Sequence, residues 1–124
     1  MMKTEYNAIS SFITKDGSEI RELMHPAVQG PDHGVSRQSL AEATVPAGAR
    51  TALHRHQQTE ELYHITQGAG RMTLGAQQFE VAVGDTLCIP PGTAHCIENI
   101  GEGDLKLLCC CTPAYAHADT ELLE

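Results

Sequence analysis

The 124-residue sequence has no tryptophan, and three tyrosines and two phenylalanines bring its aromatic content to only 4%. Aliphatic side chains must therefore fill whatever core it forms. Basic residues are also scarce: eight Lys and Arg stand against sixteen Asp and Glu, for a formal net charge of −8. Counterion release needs a basic surface, so neither nucleic acid nor an anionic membrane is an expected partner. No run approaches the ~18 apolar residues that a membrane-crossing helix needs. The opening residues, MMKTEYNAISS, lack the apolar stretch of a secretory signal, so the cytoplasm is the expected location. The five cysteines include no Cys-x-x-Cys pair, which argues against a zinc finger or a thioredoxin-like redox motif. Three of them, Cys109, Cys110 and Cys111, are consecutive. Neighbours on a strand face opposite ways, which suits packing better than a disulfide framework.

What is present reads as β structure. The length fits one domain over residues 1–124, with a core segment of about residues 37–112, an N-terminal arm over 1–36 and a tail over 113–124. Eleven glycines and six prolines punctuate short runs of Val, Ile, Leu, Thr and Cys. The runs recur about every 8–12 residues, the spacing of sandwiches and barrels. Strands are expected at Ser39–Val45, Ala52–His56, Glu61–Gln67, Gly70–Leu74, Gln78–Val83, Thr86–Ile89, His95–Asn99 and Leu105–Thr112. Helix content should lie below about a fifth, against a usual ~30–35%. Gly75-Ala76 fits a two-residue hairpin loop, and Pro90-Pro91-Gly92 fits a turn with φ set by proline and then by glycine. In the arm, Ile20, Leu23 and Met24 have helical spacing, yet Ser18–Leu23 could equally be an edge or exchanged strand. The tail reads as a strap or a short terminal turn.

Seven histidines are many for this length. His54 and His56 flank Arg55 in a β-like run, so both imidazoles leave one face of a strand. The alternative is a pair of surface histidines. Glu61 follows at an odd offset and can join the pair only if Gln57–Glu60 makes a turn and a second strand begins. In that strand Glu61, Tyr63 and Ile65 share a face, while Leu62 and His64 share the other. Glu60 lies in the turn, so Glu61 is the inward carboxylate. His95 follows the proline turn, with Ile97 on its face and Asn99 placed to cap the Ile100-Gly101 turn.

These residues form two spaced motifs. Gly48-x5-His54-x-His56-x4-Glu61-x6-Gly68 resembles the first cupin motif, and Gly84-x5-Pro90-x-Gly92-x2-His95-x3-Asn99 resembles the second. Every fixed position of both is matched, and with the flanking strands the resemblance covers about two-thirds of the chain. It implies an all-β double-stranded β-helix, a jelly-roll barrel of two antiparallel sheets. It also implies that His54, His56, Glu61 and His95 hold one divalent metal ion per chain. It specifies no catalytic residue.

Three imidazoles and a carboxylate suit Mn, Fe, Ni or Zn; a redox-capable or octahedral ion, Mn or Fe, is preferred for an enzyme. Parity places Ser39, Ala41, Ala43 and Val45 inside, leaving room near the metal, with Leu105, Leu107, Cys109 and Cys111 also inward. Tyr63 is the inward phenol nearest a ligand. It is either a hydrogen-bond or proton donor to substrate or a barrel-filling residue whose hydroxyl bonds the backbone. The inward cysteines are expected to be inert packing. Arg37 is either solvated or an anion anchor at the mouth. His25, His33, His64 and His117 are expected at the surface or an interface. The expected function is that of a metalloenzyme acting on a small polar, oxygen-rich molecule by isomerase, dioxygenase, decarboxylase or lyase chemistry. A metal-dependent binding or sensing protein without turnover is the other reading. Leu40, Leu62, Leu108 and Cys110 make an outer strand face apolar, so a homodimer is expected.

Overall fold

In the computed structural model, which describes residues 2–124, apolar–polar alternation accounts for most of the architecture. The strands are β1 (Phe12–Ile13), β2 (Glu19–Met24), β3 (Ser39–Val45), β4 (His54–His56), β5 (Glu60–Gln67) and β6 (Ala69–Leu74). They continue as β7 (Gln77–Ala82), β8 (Thr86–Ile89), β9 (His95–Asn99), β10 (Leu105–Thr112) and β11 (Thr120–Leu122). Among the described residues the only helices are single turns at Tyr6–Ala8, Pro31–His33 and His117–Asp119, so none is long and apolar enough to cross a membrane. The strands form two antiparallel sheets: a six-stranded one in the order β1-β2-β3-β10-β5-β8 and a five-stranded one in the order β11-β4-β9-β6-β7.

Side chains of one parity from each sheet meet between them. Strand β3 buries Ser39, Ala41, Ala43 and Val45, and β10 buries Leu105, Leu107, Cys109 and Cys111, as alternation predicts. Ile65, Met72, Ile89, Ile97, Leu105 and Leu107 are the largest fully buried aliphatic side chains. Each such burial contributes about 1.5–3 kcal/mol. They form one core cluster with the smaller Ala41, Ala43 and Val45 of β3.

Turn chemistry sets the register. Gly75-Ala76 joins β6 to β7 with Leu74 opposite Gln77. Gly68 has φ +83°, and a Cβ there would lie 2.8 Å from the Asp104 carbonyl oxygen, so only glycine fits. Buried Asn99 accepts from the Gly101 N–H at 2.9 Å and donates to the carbonyls of Val45 and Gly103. It thus closes the turn that the sequence assigned to it and ties it to β3.

In the arm the structure selects the strand from the two open readings, and in the tail a strap that adds a strand. The helical spacing of Ile20, Leu23 and Met24 is overridden: the segment is β2, paired with β3 from Glu19 opposite Thr44 to Glu22 opposite Ala41. Its alternate residues Ile20 and Glu22 are buried. A bulge between Glu22 and Met24 then shifts the parity by one residue. His25, expected at the surface, is therefore buried, and its Nε2 lies 2.7 Å from the Tyr115 carbonyl oxygen. The tail crosses the barrel and adds β11 beside β4, with Thr120 opposite His56 and Leu122 opposite His54.

Candidate metal centre

Strand β4 is short because its approach is held by other groups than a ladder. The Ala52 N–H donates to the Asp16 carbonyl and the Leu53 N–H to the Glu124 carboxylate, both at 2.7 Å. The expected strand Ala52–His56 is thus reduced to His54–His56. His54 and His56 are buried on its inner face, and His95 of β9 stands opposite His54. One ring nitrogen from each of the three lies within 4.8 Å of the other two. Glu61 enters from the other sheet. Its Oε1 is 3.3 Å from His56 Nε2 and 3.6 Å from His95 Nε2. Glu60 beside it is exposed.

The second nitrogen of each ring fixes its tautomer. His54 Nδ1 lies 2.7 Å from the Ala52 carbonyl oxygen and His95 Nδ1 2.9 Å from that of Thr93. A carbonyl only accepts, so both Nδ1 atoms carry protons. His56 Nδ1 lies 2.9 Å from Thr120 Oγ1, whose own hydroxyl donates to the Ala116 carbonyl at 3.0 Å. His56 Nδ1 is therefore a donor too. In neutral rings all three Nε2 atoms then present lone pairs inward. Burial, helped by the neighbouring His95, lowers the pKa of His54 and favours that neutral form. His95 Nε2 and Glu61 Oε1 are buried without a hydrogen-bond partner. Buried polar atoms without a partner are costly, and a divalent cation satisfies these two together. The donor set therefore fits such an ion.

Residues behind the acceptors orient them. The Cys111 thiol, directly across from Glu61 in the β10–β5 ladder, donates to Glu61 Oε2 at 3.2 Å. Burial, and then the charge of Glu61, push that thiol up, so it stays protonated. The expectation of inert packing did not include this hydrogen bond: sequence parity placed Cys111 inside, but only strand register shows what it faces. Burial opposes the charge of Glu61, yet His56 and His95 outweigh it and hold the carboxyl at about 2.

His54 and His56 open into a cavity between the sheets, with about 40 Å³ open to the centre of a water molecule. At roughly 10–15 Å³ per water, that is room for a few waters or a ligand of few heavy atoms. Its walls include the small residues Ser39, Ala41 and Ala43, along with Tyr63 and Tyr115. Tyr63 is buried, with its ring 6.0 Å from that of His95. Burial, then Glu61, raise its pKa well above the usual value. Arg37 is exposed and lines no wall, and His64 points outward to bond Thr86 Oγ1 at 2.7 Å. His33 is half-buried and His117 exposed, both away from the cavity.

A model of the cupin domain matches residues 41–111. The chain belongs to the cupin family. An uncharacterized protein of Methanocaldococcus jannaschii is 56% identical to this cupin over 124 residues, all of this chain and 96% of the relative. An oxalate-binding protein of Thermotoga maritima is 30% identical over 87 residues, 70% of this chain and 71% of that one. Among solved structures, a Bacillus subtilis oxalate decarboxylase variant superposes with a TM-score of 0.80 at 24% identity, over 97% of this chain and 32% of that one. A Thermotoga maritima protein described as a predicted oxalate decarboxylase gives 0.76 at 23% identity, over 90% of this chain and 99% of that one. These two likenesses show the fold, and this cupin spans about a third of the Bacillus enzyme's chain.

Sequence reasoning missed what lies outside the matched region. Asp16 Oδ2 is 3.3 Å from His54 Nε2. Glu22 is 3% exposed and lines the cavity with Oε1 unpartnered. Burial raises its pKa, His25 opposes this and Glu61 adds to it. Thr120 and Tyr115 arrive on the tail. The only advance signal was the odd parity of acids beside apolar residues, Glu22 two positions after Ile20.

Proposed function

We propose that this cupin holds one divalent metal ion between His54, His56, His95 and Glu61 and acts as a metalloenzyme on a small oxygen-rich metabolite. The observation that carries the reading is the convergence of three buried ring nitrogens beside a buried carboxylate, with His95 Nε2 and Glu61 Oε1 left unpartnered. All-nitrogen and oxygen ligation suits Mn or Fe first, with Ni or Zn accommodated. Bound there, such an ion supplies a Lewis acid and, as Mn or Fe, a redox centre.

The chain's own residues then set what the cavity accepts. Tyr63 keeps its proton and offers its hydroxyl to a ligand oxygen. Glu22 holds or takes a proton at Oε1 on another wall. No Lys or Arg lines the cavity, whereas Asp16, Glu22 and Glu61 do. A dianion would find no fixed cation beside the metal, so a neutral or singly charged oxygen donor is the favoured class. Isomerase, lyase, decarboxylase and dioxygenase chemistry all act on such molecules. The second reading, binding without turnover, is favoured by the relative named an oxalate-binding protein. Five unpaired cysteines suit a reducing, cytoplasmic setting.

Elemental analysis of untagged protein tests the first step. About one Mn or Fe per chain is expected; metal-free protein that also fails to take up added Mn²⁺ overturns the reading. Incubating the loaded protein with small keto acids, hydroxy acids and oxalate separates turnover from binding alone.

We also propose a homodimer. Leu40 and Leu62 are 38% and 42% exposed on the outer face, and Cys110 lies between them in register. Light scattering is expected to give twice the 13.4 kDa chain mass; a monomer mass at micromolar concentration rules the dimer out.

A further inference from the structure

The N-terminal arm reaches the centre through one tight hairpin. Between β1 and β2, the Gly17 N–H donates to the Thr14 carbonyl at 3.0 Å and the Thr14 N–H to that of Ser18 at 2.9 Å. Gly17 takes a φ of +91°, which allows the turn. The hairpin fixes the Asp16 side chain. Its Oδ1 accepts from the Ser18 N–H at 2.9 Å, the Ser18 hydroxyl at 2.7 Å and the Thr14 hydroxyl at 2.8 Å. Oδ1 is thereby satisfied, and Oδ2 is the oxygen left to face His54 Nε2 at 3.3 Å. The Asp16 carbonyl accepts from the Ala52 N–H at 2.7 Å, while the Ala52 carbonyl takes the His54 Nδ1 proton. One short path thus holds both the carboxylate and the imidazole. With Nδ1 donating, a neutral His54 ring turns its Nε2 lone pair toward Oδ2 3.3 Å away, an arrangement of two acceptors that a cation between them would satisfy.

We infer that Asp16 is a fifth metal-binding residue, supplied from outside the two cupin motifs, so that metal binding latches the N-terminal arm onto the barrel. The inference rests on the proposed metal site and extends it. Asp16 Oδ2 lies beside His54, and Glu61 Oε1 beside His56 and His95, so the two carboxylates would hold the ion with different histidines. With two carboxylates and a divalent ion the centre carries no net charge. That adds to the preference for neutral or singly charged ligands.

The competing account is a structural ion pair, in which His54 is doubly protonated and Asp16 merely accepts from it. Asp16→Asn separates the two. The amide keeps an oxygen for the three Oδ1 donors and places an NH₂ where Oδ2 was, able to donate to the His54 lone pair. The full-length, metal-stripped protein is titrated with Mn²⁺, and free Mn²⁺ is read by electron paramagnetic resonance. D16N is expected to bind Mn²⁺ about 10–100-fold more weakly than the unmodified chain, with an unchanged or raised metal-free thermal midpoint. Amide exchange supplies a second readout. Mn²⁺ should slow exchange at Gly17, Ser18 and Ala52 in the unmodified protein and have no such effect in D16N. Unchanged Mn²⁺ affinity in D16N overturns the inference. Ser18→Ala is the control for hairpin shape, since it removes one Oδ1 donor and leaves Oδ2 in place. If S18A loses as much affinity as D16N, Asp16 acts through the hairpin and not on the ion. If the unmodified protein binds no Mn²⁺, the metal reading itself falls.

Discussion

Replacing His56 with alanine is expected to lower Mn²⁺ affinity by orders of magnitude and leave the barrel folded. The change removes one of three converging ring nitrogens, and a water that fills the gap is neither oriented nor as basic. The fold should survive because the large aliphatic side chains of the core are untouched, and β4 keeps its backbone bonds to β11. The change also frees Thr120 Oγ1 from its 2.9 Å contact with His56 Nδ1, a loss on the order of 1 kcal/mol. His64→Ala is the comparison. His64 lies eight positions on, exposed, on the outward parity of β5, and its loss should leave metal content unchanged. Isothermal titration of both variants against the unmodified protein makes the test. Equal losses in the two would show that the β5 parity, and with it the inward placement of Glu61 and Tyr63, is wrong.

A second large effect is expected in thermal stability. A ligand that binds only the folded state stabilises it by about 4.1 kcal/mol at a thousandfold excess over Kd. For a chain of this length that corresponds to roughly 12–20 °C in the unfolding midpoint. The shift should be larger at pH 7.5 than at pH 5, because protons compete with the metal for its ligands. The metal-free protein should respond to acid in the same direction. The His54 pKa is lowered below its ordinary 6.5, so the unfolded chain binds more protons there. Its contribution is present above 6.5 and fades as the pH falls below it. The Glu61 carboxyl falls from 4.5 to about 2 on folding, so its contribution is present above 4.5 and is lost as the pH falls through 2. Both slopes make the protein less stable in acid. Differential scanning calorimetry with and without Mn²⁺ between pH 8 and pH 4 measures this. A midpoint that ignores Mn²⁺ at pH 7.5, or a metal shift that grows in acid, would overturn the account.

The sheets were legible in the sequence because alternation is a local signal. The inward row of β3 and that of β10 follow from placing Glu42 and Lys106 outside. The histidine cluster was legible because His54 and His56 share a strand face and His95 follows a proline turn, features set within a few residues. What could not be read depends on distant pieces meeting. Asp16, Glu22 and Thr120 are common polar residues in segments without a motif. Their meaning appears only when the arm lies against β3 and the tail against β4. The bulge in β2 is equally silent in the sequence, yet it alone turns His25 inward. Cys111 was placed on the correct face, but its role depends on the register that sets it opposite Glu61.

Both ends of the chain grip β4. Lys15, beside Asp16, donates to the Thr120 carbonyl at 2.8 Å, and Thr120 in turn positions His56. During synthesis, therefore, the two motifs can emerge from the ribosome and pair their strands while His56 still lacks its anchor. Residue 120 must clear the exit tunnel before the centre can be complete. Metal capture would then wait on a segment more than twenty residues past the second motif, and a chain lacking it would be poorly able to sequester a metal ion it cannot use.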